Sequence, residues 1–440
     1  MQDCERTFVE YASTGLSGMP SYGDKMITRK ETSVLTRETK FPTRKKFRFD
    51  HHSAAARHAL FCLVVLLFAA NGVFAQTSEF EPSSSAGAGN VLVHSKFGGQ
   101  IFGFDIDQNG TEGVLSESQT LSNGNVLAAV ETFDQKTGKI LKVVIKTETQ
   151  DDFVTMGVVA NSVGLVEREH VAGGFVVKRI FRTLDPLDSN RFTGLWTPPI
   201  GSQHIIMPAS VSRSQRVPNV AVFAYDNSGQ FIPYVFSSNV AANTFGPVVK
   251  IKDANNFGSV PPPIAYDSKT DQAVMGGGNG CFGCLPVIGV ADLAKGTFSE
   301  FTGIGFGFVN GIAIDSADGI VCTDTEDDAS VEFYDLKAKT GFSVVLPNSG
   351  EQQFFSGNDV EFDPIHKLFL IAQENSSSAS SGSTIYVYDT KGNLKETLNG
   401  FNFNNTFNII AMHIALNPGK RSGFVDGPDS GVTEIQSFTY

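Results

Sequence analysis

From about residue 90 onward the chain is built of short runs in which apolar and polar positions alternate, punctuated by Gly, Asp, Asn, Ser and Pro. A period of two is the pattern of a strand with one buried face. Four of these runs share a form: Ile264-Ala265-Tyr266-Asp267, Ile312-Ala313-Ile314-Asp315, Val360-Glu361-Phe362-Asp363 and Ile414-Ala415-Leu416-Asn417. Their last residues stand 48, 48 and 54 positions apart (267 to 315, 315 to 363, 363 to 417). A turn follows each one, and then a second apolar run such as Gly319-Ile320-Val321-Cys322 or Lys367-Leu368-Phe369-Leu370-Ile371. A third run ends in Asp at Asp292, Asp335 and Asp389, and a fourth follows a Gly-bearing turn at Thr340-Gly341-Phe342-Ser343-Val344-Val345-Leu346. Four antiparallel strands in about 45 residues, repeated, predict an all-β chain folded as a β-propeller.

Upstream the same register continues through Phe153–Asn161 and Val163–Val166, and Ala221–Asp226 repeats the aromatic-Asp ending ahead of Gly229. First strands near 161, 212, 267, 315, 363 and 417, with the strands between Asn90 and Lys146, predict seven blades; six is the alternative. The last unit offers strands around Ile414, Phe424 and Ile435, and the sequence then stops at Tyr440. Because an open sheet edge is a liability, an N-terminal strand around Val91-Leu92-Val93 is expected to complete that blade and close the ring.

The first 58 residues differ in kind. They are polar and basic, with Arg44, Lys45, Lys46 and Arg48 close together, and carry no apolar periodicity. Ala59 to Ala70 is an unbroken apolar run, too short for a span of roughly 20 residues and of the length of a signal-peptide core. Val73-Phe74-Ala75 then places small or compact residues where a signal peptidase reads, so cleavage is expected between Ala75 and Gln76. An uncleaved signal anchor is the alternative, and Met26 is an alternative start. The expected organisation is therefore a leader and signal peptide over 1–75, a flexible linker over 76–89 and a propeller over 90–440, secreted to an extracellular or periplasmic compartment. Without residues 1–75 the chain holds 23 basic against 39 acidic residues, or −16, compared with −12 for all 440. An acidic chain of this kind is a poor match for nucleic acid or an anionic membrane.

Candidate chemistry is sparse. Cys281-Phe282-Gly283-Cys284 follows Gly276-Gly277-Gly278-Asn279-Gly280. No His follows Cys284 and no second pair completes a Cys4 zinc site. In an oxidising compartment the expectation is a Cys281–Cys284 disulfide, with free thiols the alternative, and Cys322 reads as a buried strand thiol. Asp324, Glu326, Asp327 and Asp328 form an acidic cluster of hard oxygen ligands suited to Ca²⁺; a solvated acidic turn is the alternative. His94, His170, His204, His366 and His413 sit in no recognised triad or nucleophile-elbow pattern. Phe is abundant at 37 residues while Trp196 is the only tryptophan, which assigns aromatic area to packing rather than to a glycan-stacking platform. Sequons stand at Asn109, Asn375 and Asn404, and the serine-rich run from Asn375 reads as a projecting loop.

Taken together, the repeat words resemble the seven-bladed propellers of the YVTN and NHL type, with some likeness to gluconolactonase-type propellers, over roughly residues 90–440. In the last group an Asn-Gly before an inner strand contributes to a divalent-metal site in the central channel. Asn310-Gly311 has that form, and Asp359 stands at the equivalent point of the next unit; side-chain capping of turns by Asn310 and Asp359 is the alternative. The expected function is a secreted, monomeric binding scaffold that holds a protein or small-molecule ligand on one face, without nucleic acid and without a membrane after signal cleavage. The alternative is a metal-dependent, lactonase-like hydrolase with a channel cation such as Ca²⁺, using Asn310 and Asp359.

Overall fold

The computed structural model describes residues 86–440 except 108–109, 150–152, 160–161, 172–173, 185–191, 197–218, 227–231, 240–243, 252–256, 258–261, 268, 279–284, 305–308, 326–329, 348–358, 374–383, 402–412 and 430–431. The chain divides between Thr77 and Ser78, and every described residue belongs to the unit Ser78–Tyr440.

Strand β1 (Gly87–His94) is followed by a four-stranded sheet of β2 (Gln100–Ile106), β3 (Glu112–Thr120), β4 (Val126–Asp134) and β5 (Ile140–Thr149), each strand paired to the next. The second sheet has the same plan with β6 (Phe153–Val159), β7 (Ser162–Val171), β8 (Gly174–Leu184) and β9 (Phe192–Trp196). In the third, β10 (Asn219–Asp226) pairs with β11 (Ile232–Asn239), and β11 pairs with both short strands β12 (Thr244–Phe245) and β13 (Val249–Lys250). The fourth holds β14 (Ile264–Asp267), β15 (Gln272–Gly277), β16 (Val287–Asp292) and β17 (Thr297–Thr302). The fifth holds β18 (Val309–Asp315), β19 (Ile320–Thr325), β20 (Ser330–Asp335) and β21 (Thr340–Val345). The sixth holds β22 (Asp359–Asp363), β23 (Leu368–Gln373), β24 (Thr384–Asp389) and β25 (Leu394–Leu398). The seventh combines β26 (Ile414–Asn417), β27 (Ser422–Asp429) and β28 (Val432–Thr439) with β1, which pairs antiparallel to β28 through Leu92–Gln436, Val93–Ile435 and His94–Glu434. All the pairings are antiparallel, and the architecture is propeller-like.

Two-residue alternation builds the core between sheets. On β23, Leu368, Leu370 and Ala372 pack with Ile414, Val425 and Phe438 of the seventh sheet. Phe369 and Ile371, on the opposite face of the same strand, pack with Val331 and Phe333 of the fifth. On β15, Ala273 and Met275 join Phe223 and Val235 of the third sheet, while Val274 joins Ile312 and Val321 of the fifth. The inner strands of each middle sheet are thus buried on both faces, which is why β23 and β24 read as nearly continuous hydrophobic runs, whereas the outer strands β17, β21 and β25 are largely exposed. A fully buried side chain of this size contributes about 1.5–3 kcal/mol. The first strands pack side by side: β14 on β18, β18 on β22, β22 on β26, and β26 on β2.

The repeated Asp is a turn device. Asp267 accepts hydrogen bonds from the N–H groups of Lys269 and Thr270, Asp315 from Ala317, and Asp363 from Ile365 and His366. Four residues after each of Asp267, Asp315, Asp363 and Asn417 the backbone turns left-handed, at Asp271 (φ 53°), Gly319 (φ 76°), Lys367 (φ 59°) and Arg421 (φ 48°). Only the second of these is glycine, so the other three carry a backbone cost, held at Asp271 and Lys367 by the Asx-type turn and at Arg421 by a 3-10 turn in which its N–H donates to Pro418 O.

One expectation lies outside the described residues and one is corrected. In the third sheet the described strands begin with β10, which ends at Asp226, while the position near 212 expected for a first strand lies outside the described residues. Tyr225-Asp226 carries the aromatic-Asp ending that also closes first strands at Tyr266-Asp267 and Phe362-Asp363, so that ending does not separate first strands from third. The linker stops short of 89: Gly87 and Ala88 already pair with Thr439 and Phe438. Their Gly-Ala composition looked like linker, yet the segment is held by its backbone. At Gly89 a Cβ would lie 2.3 Å from Ser437 Oγ.

Candidate functional site

The connections between strands fall into two kinds. At one end of the inner strands lie the short Asp-anchored turns just described, joined by those from β16 to β17, β20 to β21 and β24 to β25. These last are anchored by Asp292, Asp335 and Asp389 through backbone N–H groups of the turn. From the other end leave the connections of variable length: 278–286, 303–308, 326–329, 346–358, 374–383 and 399–413.

Of the candidate oxygen ligands named from the sequence, Asn310, Asp324 and Asp359 are described, and each lies at the strand ends next to these longer connections. Asn310 is the second residue of β18, at a register break between Val309 and Gly311, and Asp359 opens β22. Asp324 is fully buried on β19, opposite Gly311 on one side and Val331 on the other. Glu326, Asp327 and Asp328 lie outside the described residues, as do Cys281, Cys284 and the sequons at Asn109, Asn375 and Asn404. Cys322 is buried on β19, and burial pushes its thiol well up, with Glu332 and Asp324 adding to the effect.

The structure brings Asn310 and Asp359 onto adjacent first strands. A Cβ on Gly311 would lie 2.8 Å from Val360 N, so β18 and β22 approach to backbone contact just there. Asp359 Oδ2 accepts the N–H of Ile414 at 2.8 Å, which ties β22 to β26. As a metal site this set is short: Asn310 and Asp359 offer two oxygen-bearing side chains, whereas Ca²⁺ takes six to eight oxygens. Among the described residues no group of three or more His, Cys, Asp or Glu side chains is arranged to hold a metal ion.

A pair the sequence reading missed stands beside Asp359. His413, directly before β26, places Nδ1 2.7 Å from Oδ2 of the fully buried Asp426 on β27. The Asp426 carboxylate also accepts the His413 N–H, and Asp426 N–H donates to His413 O at 3.1 Å. An imidazole oriented by a buried carboxylate can exchange a proton or bind a ligand through its other nitrogen. The available signal was cross-strand position, visible only once β26 and β27 are registered. On the neighbouring strands His94 Nδ1 lies 2.6 Å from Glu434 Oε1. Nearby, Glu117 and Glu131 bury their carboxyl groups beneath the crossing from β1 to β2. Burial raises Glu131 to about 7; the Lys96 N–H opposes the rise and Glu117 adds to it.

The arrangement defines an all-β, propeller-like repeat protein with one end of fixed turns and one of long connections. No protein-family model matches the chain, and no curated protein matches it. Among solved structures, Raptor of Chaetomium thermophilum is similar over 81% of this chain at 11% identity and a TM-score of 0.53; the alignment spans 29% of the Raptor chain. A chain of the mitotic checkpoint complex aligns over 93% of this chain and 99% of its own at 11% identity and a TM-score of 0.48. The likeness to Raptor is one of fold.

Proposed function

We propose that the protein is an exported, seven-bladed propeller whose ring is closed by β1 and β28, and that it is a scaffold binding a protein partner through the end from which the long connections leave. Seven four-stranded sheets and the packing of β26 against both β22 and β2 support the closed ring. The observation that carries the binding role is the contrast between the two ends. One end spends its residues on short, Asp-anchored turns with fixed backbone; the other varies freely in connection length on a rigid support, the usual division between scaffold and recognition surface. Export rests on the basic flank, the apolar run 59–70 and the Ala75 boundary.

A photo-crosslinking amino acid at Leu285 (50% exposed, at the long-connection end) and one at Ile365 (51% exposed, in the β22–β23 turn) test this directly. In secreted protein, whose N-terminus should read from Gln76, protein adducts are expected from position 285 and not from 365. Adducts from 365 alone, or from neither, would remove the reading.

A further inference from the structure

The crossing between β1 and β2, residues 95–99, is the covalent link from the sheet of the C-terminal strands to the first sheet. All four of its N–H groups from 96 to 99 are taken. Lys96 N–H donates to Glu131 Oε2 (2.8 Å), Phe97 and Gly99 N–H to Glu117 Oε1 and Oε2 (3.3 and 2.7 Å), and Gly98 N–H to Ser95 Oγ (3.1 Å). The crossing has little room to shift, because a Cβ on Gly99 would lie 2.8 Å from both Glu117 Oε2 and Ser118 O.

The two carboxyl groups that grip it are close to one another and away from water. Glu117 lies opposite Ala129, and Glu131 is two residues further along β4 on the same face. Both are fully buried, and Glu131 Oε1 has no hydrogen-bond partner among the described residues. With both groups ionised, two buried negative charges would share three backbone N–H donors. A proton on Oε1 removes the repulsion and still leaves Oε2 to accept from Lys96.

We propose that residues 95–99 with Glu117 and Glu131 form a proton-operated clasp, which fixes the first sheet to the last while Glu131 holds its proton and loosens when Glu131 gives it up. The surrounding charges are Glu117 on β3, Lys96 in the crossing and Lys146 on β5, whose Nζ lies 4.8 Å from the Phe97 ring centroid. The seventh sheet adds the His94–Glu434 and His413–Asp426 pairs. With these other carboxylate pairs close by, the effect of Glu131 is isolated by substitution.

The sign follows from linkage. Glu131 in the folded chain binds its proton more tightly than at its ordinary 4.5, with a midpoint of about 7. Its contribution to stability is therefore complete below about 4.5 and lost as pH rises through about 7.

Thermal unfolding of the chain lacking the leader, from about pH 5 to about pH 8.5, combined with amide exchange at residues 96–99, tests the clasp. The unfolding temperature of the wild type should fall with an inflection near 7. Glu131→Gln should lose that inflection, and Glu117→Gln should move it to lower pH by removing the repulsion. Protection of the 96–99 amides, corrected for intrinsic rate, should drop on the alkaline side in the wild type and not in Glu131→Gln. An inflection that survives in Glu131→Gln, or wild-type amides equally protected on both sides of pH 7, would overturn the proposal. If Glu131→Gln does not fold, the wild-type amides and the protonated-carboxyl infrared band decide: a band vanishing near pH 7 supports the clasp, and its absence at pH 6 refutes it.

Discussion

Lys367 combines two opposing effects in one residue. It holds a left-handed backbone (φ 59°) that glycine would adopt without cost, and it uses that position to reach Asp315 of the preceding sheet with Nζ–Oδ distances of 2.7 and 2.8 Å. Asp315 is buried, so the lysine is its route to charge compensation. The seventh sheet does the equivalent with a neutral donor: Tyr440 O–H donates to Asp363 at 2.8 Å, and burial, with Asp363 adding to it, pushes that phenol far up. Asp315 and Asp363 thus each pin their own turn and take a donor from the next sheet. Lys367→Met keeps the backbone strain and removes the cation, and should cost about 1–3 kcal/mol in urea unfolding. Lys339→Met is the control, since Lys339 has the same backbone (φ 55°) but makes no ion pair among the described residues, and it should be nearly silent. Equal losses from the two would show that the pair with Asp315 contributes nothing.

At the scale of the elements, period-two patterning and Asp-punctuated turns made most of the strands legible from the sequence. Strands β14, β16, β18 to β20 and β22 to β24 fall where the apolar runs predict, because most of their residues are buried and the hydrophobic signal is strong, whereas β15 and β17 were not foreseen. The signal failed at β1, whose Gly87-Ala88-Gly89 start has almost no side chain to display, and at β10, whose Tyr225-Asp226 ending is shared by first and third strands. Asn310 and Asp359 were legible as positions at first-strand starts; the His413–Asp426 pair was not, because it depends on the register of β26 against β27. Gly311 gives this level its test. The carbon added in Gly311→Ala would lie 2.8 Å from Val360 N and 3.0 Å from Asp359 C, backbone atoms that cannot rotate away. The expected loss is about 1–3 kcal/mol from overpacking, and because the strain falls between first strands it should appear as separation of β18 from β22. Amide exchange should then rise on those two strands together; a rise spread evenly over all the sheets would mean that the contact is not local.

For the whole molecule, the decisive feature is that residues from the two ends of the described chain share one sheet. Gly87 faces Thr439 and Val93 faces Ile435, while Phe424 and Ile435 pack with Phe104 and Phe133 of the first sheet. Removing residues 432–440 deletes β28, leaves β1 without its partner and exposes β27 as a new edge. It also takes Tyr440 from Asp363 and Ile435 from the core shared with the first sheet. Where each sheet packs only on its neighbours, stability is close to a sum of unit and interface terms, and closing the array adds one interface that ties all the terms together. The tail deletion should therefore lower the unfolding temperature in one cooperative step or abolish soluble export. Deleting Ser376 to Ser380, within the connection from β23 to β24, should be nearly silent, since loop length changes closure entropy by only about 0.6 kcal/mol per doubling. Comparing the two deletions by calorimetry separates a closed ring from an open row of sheets. In an open row the tail deletion would melt the seventh sheet alone, as a small early transition, and leave the main transition where the loop deletion leaves it.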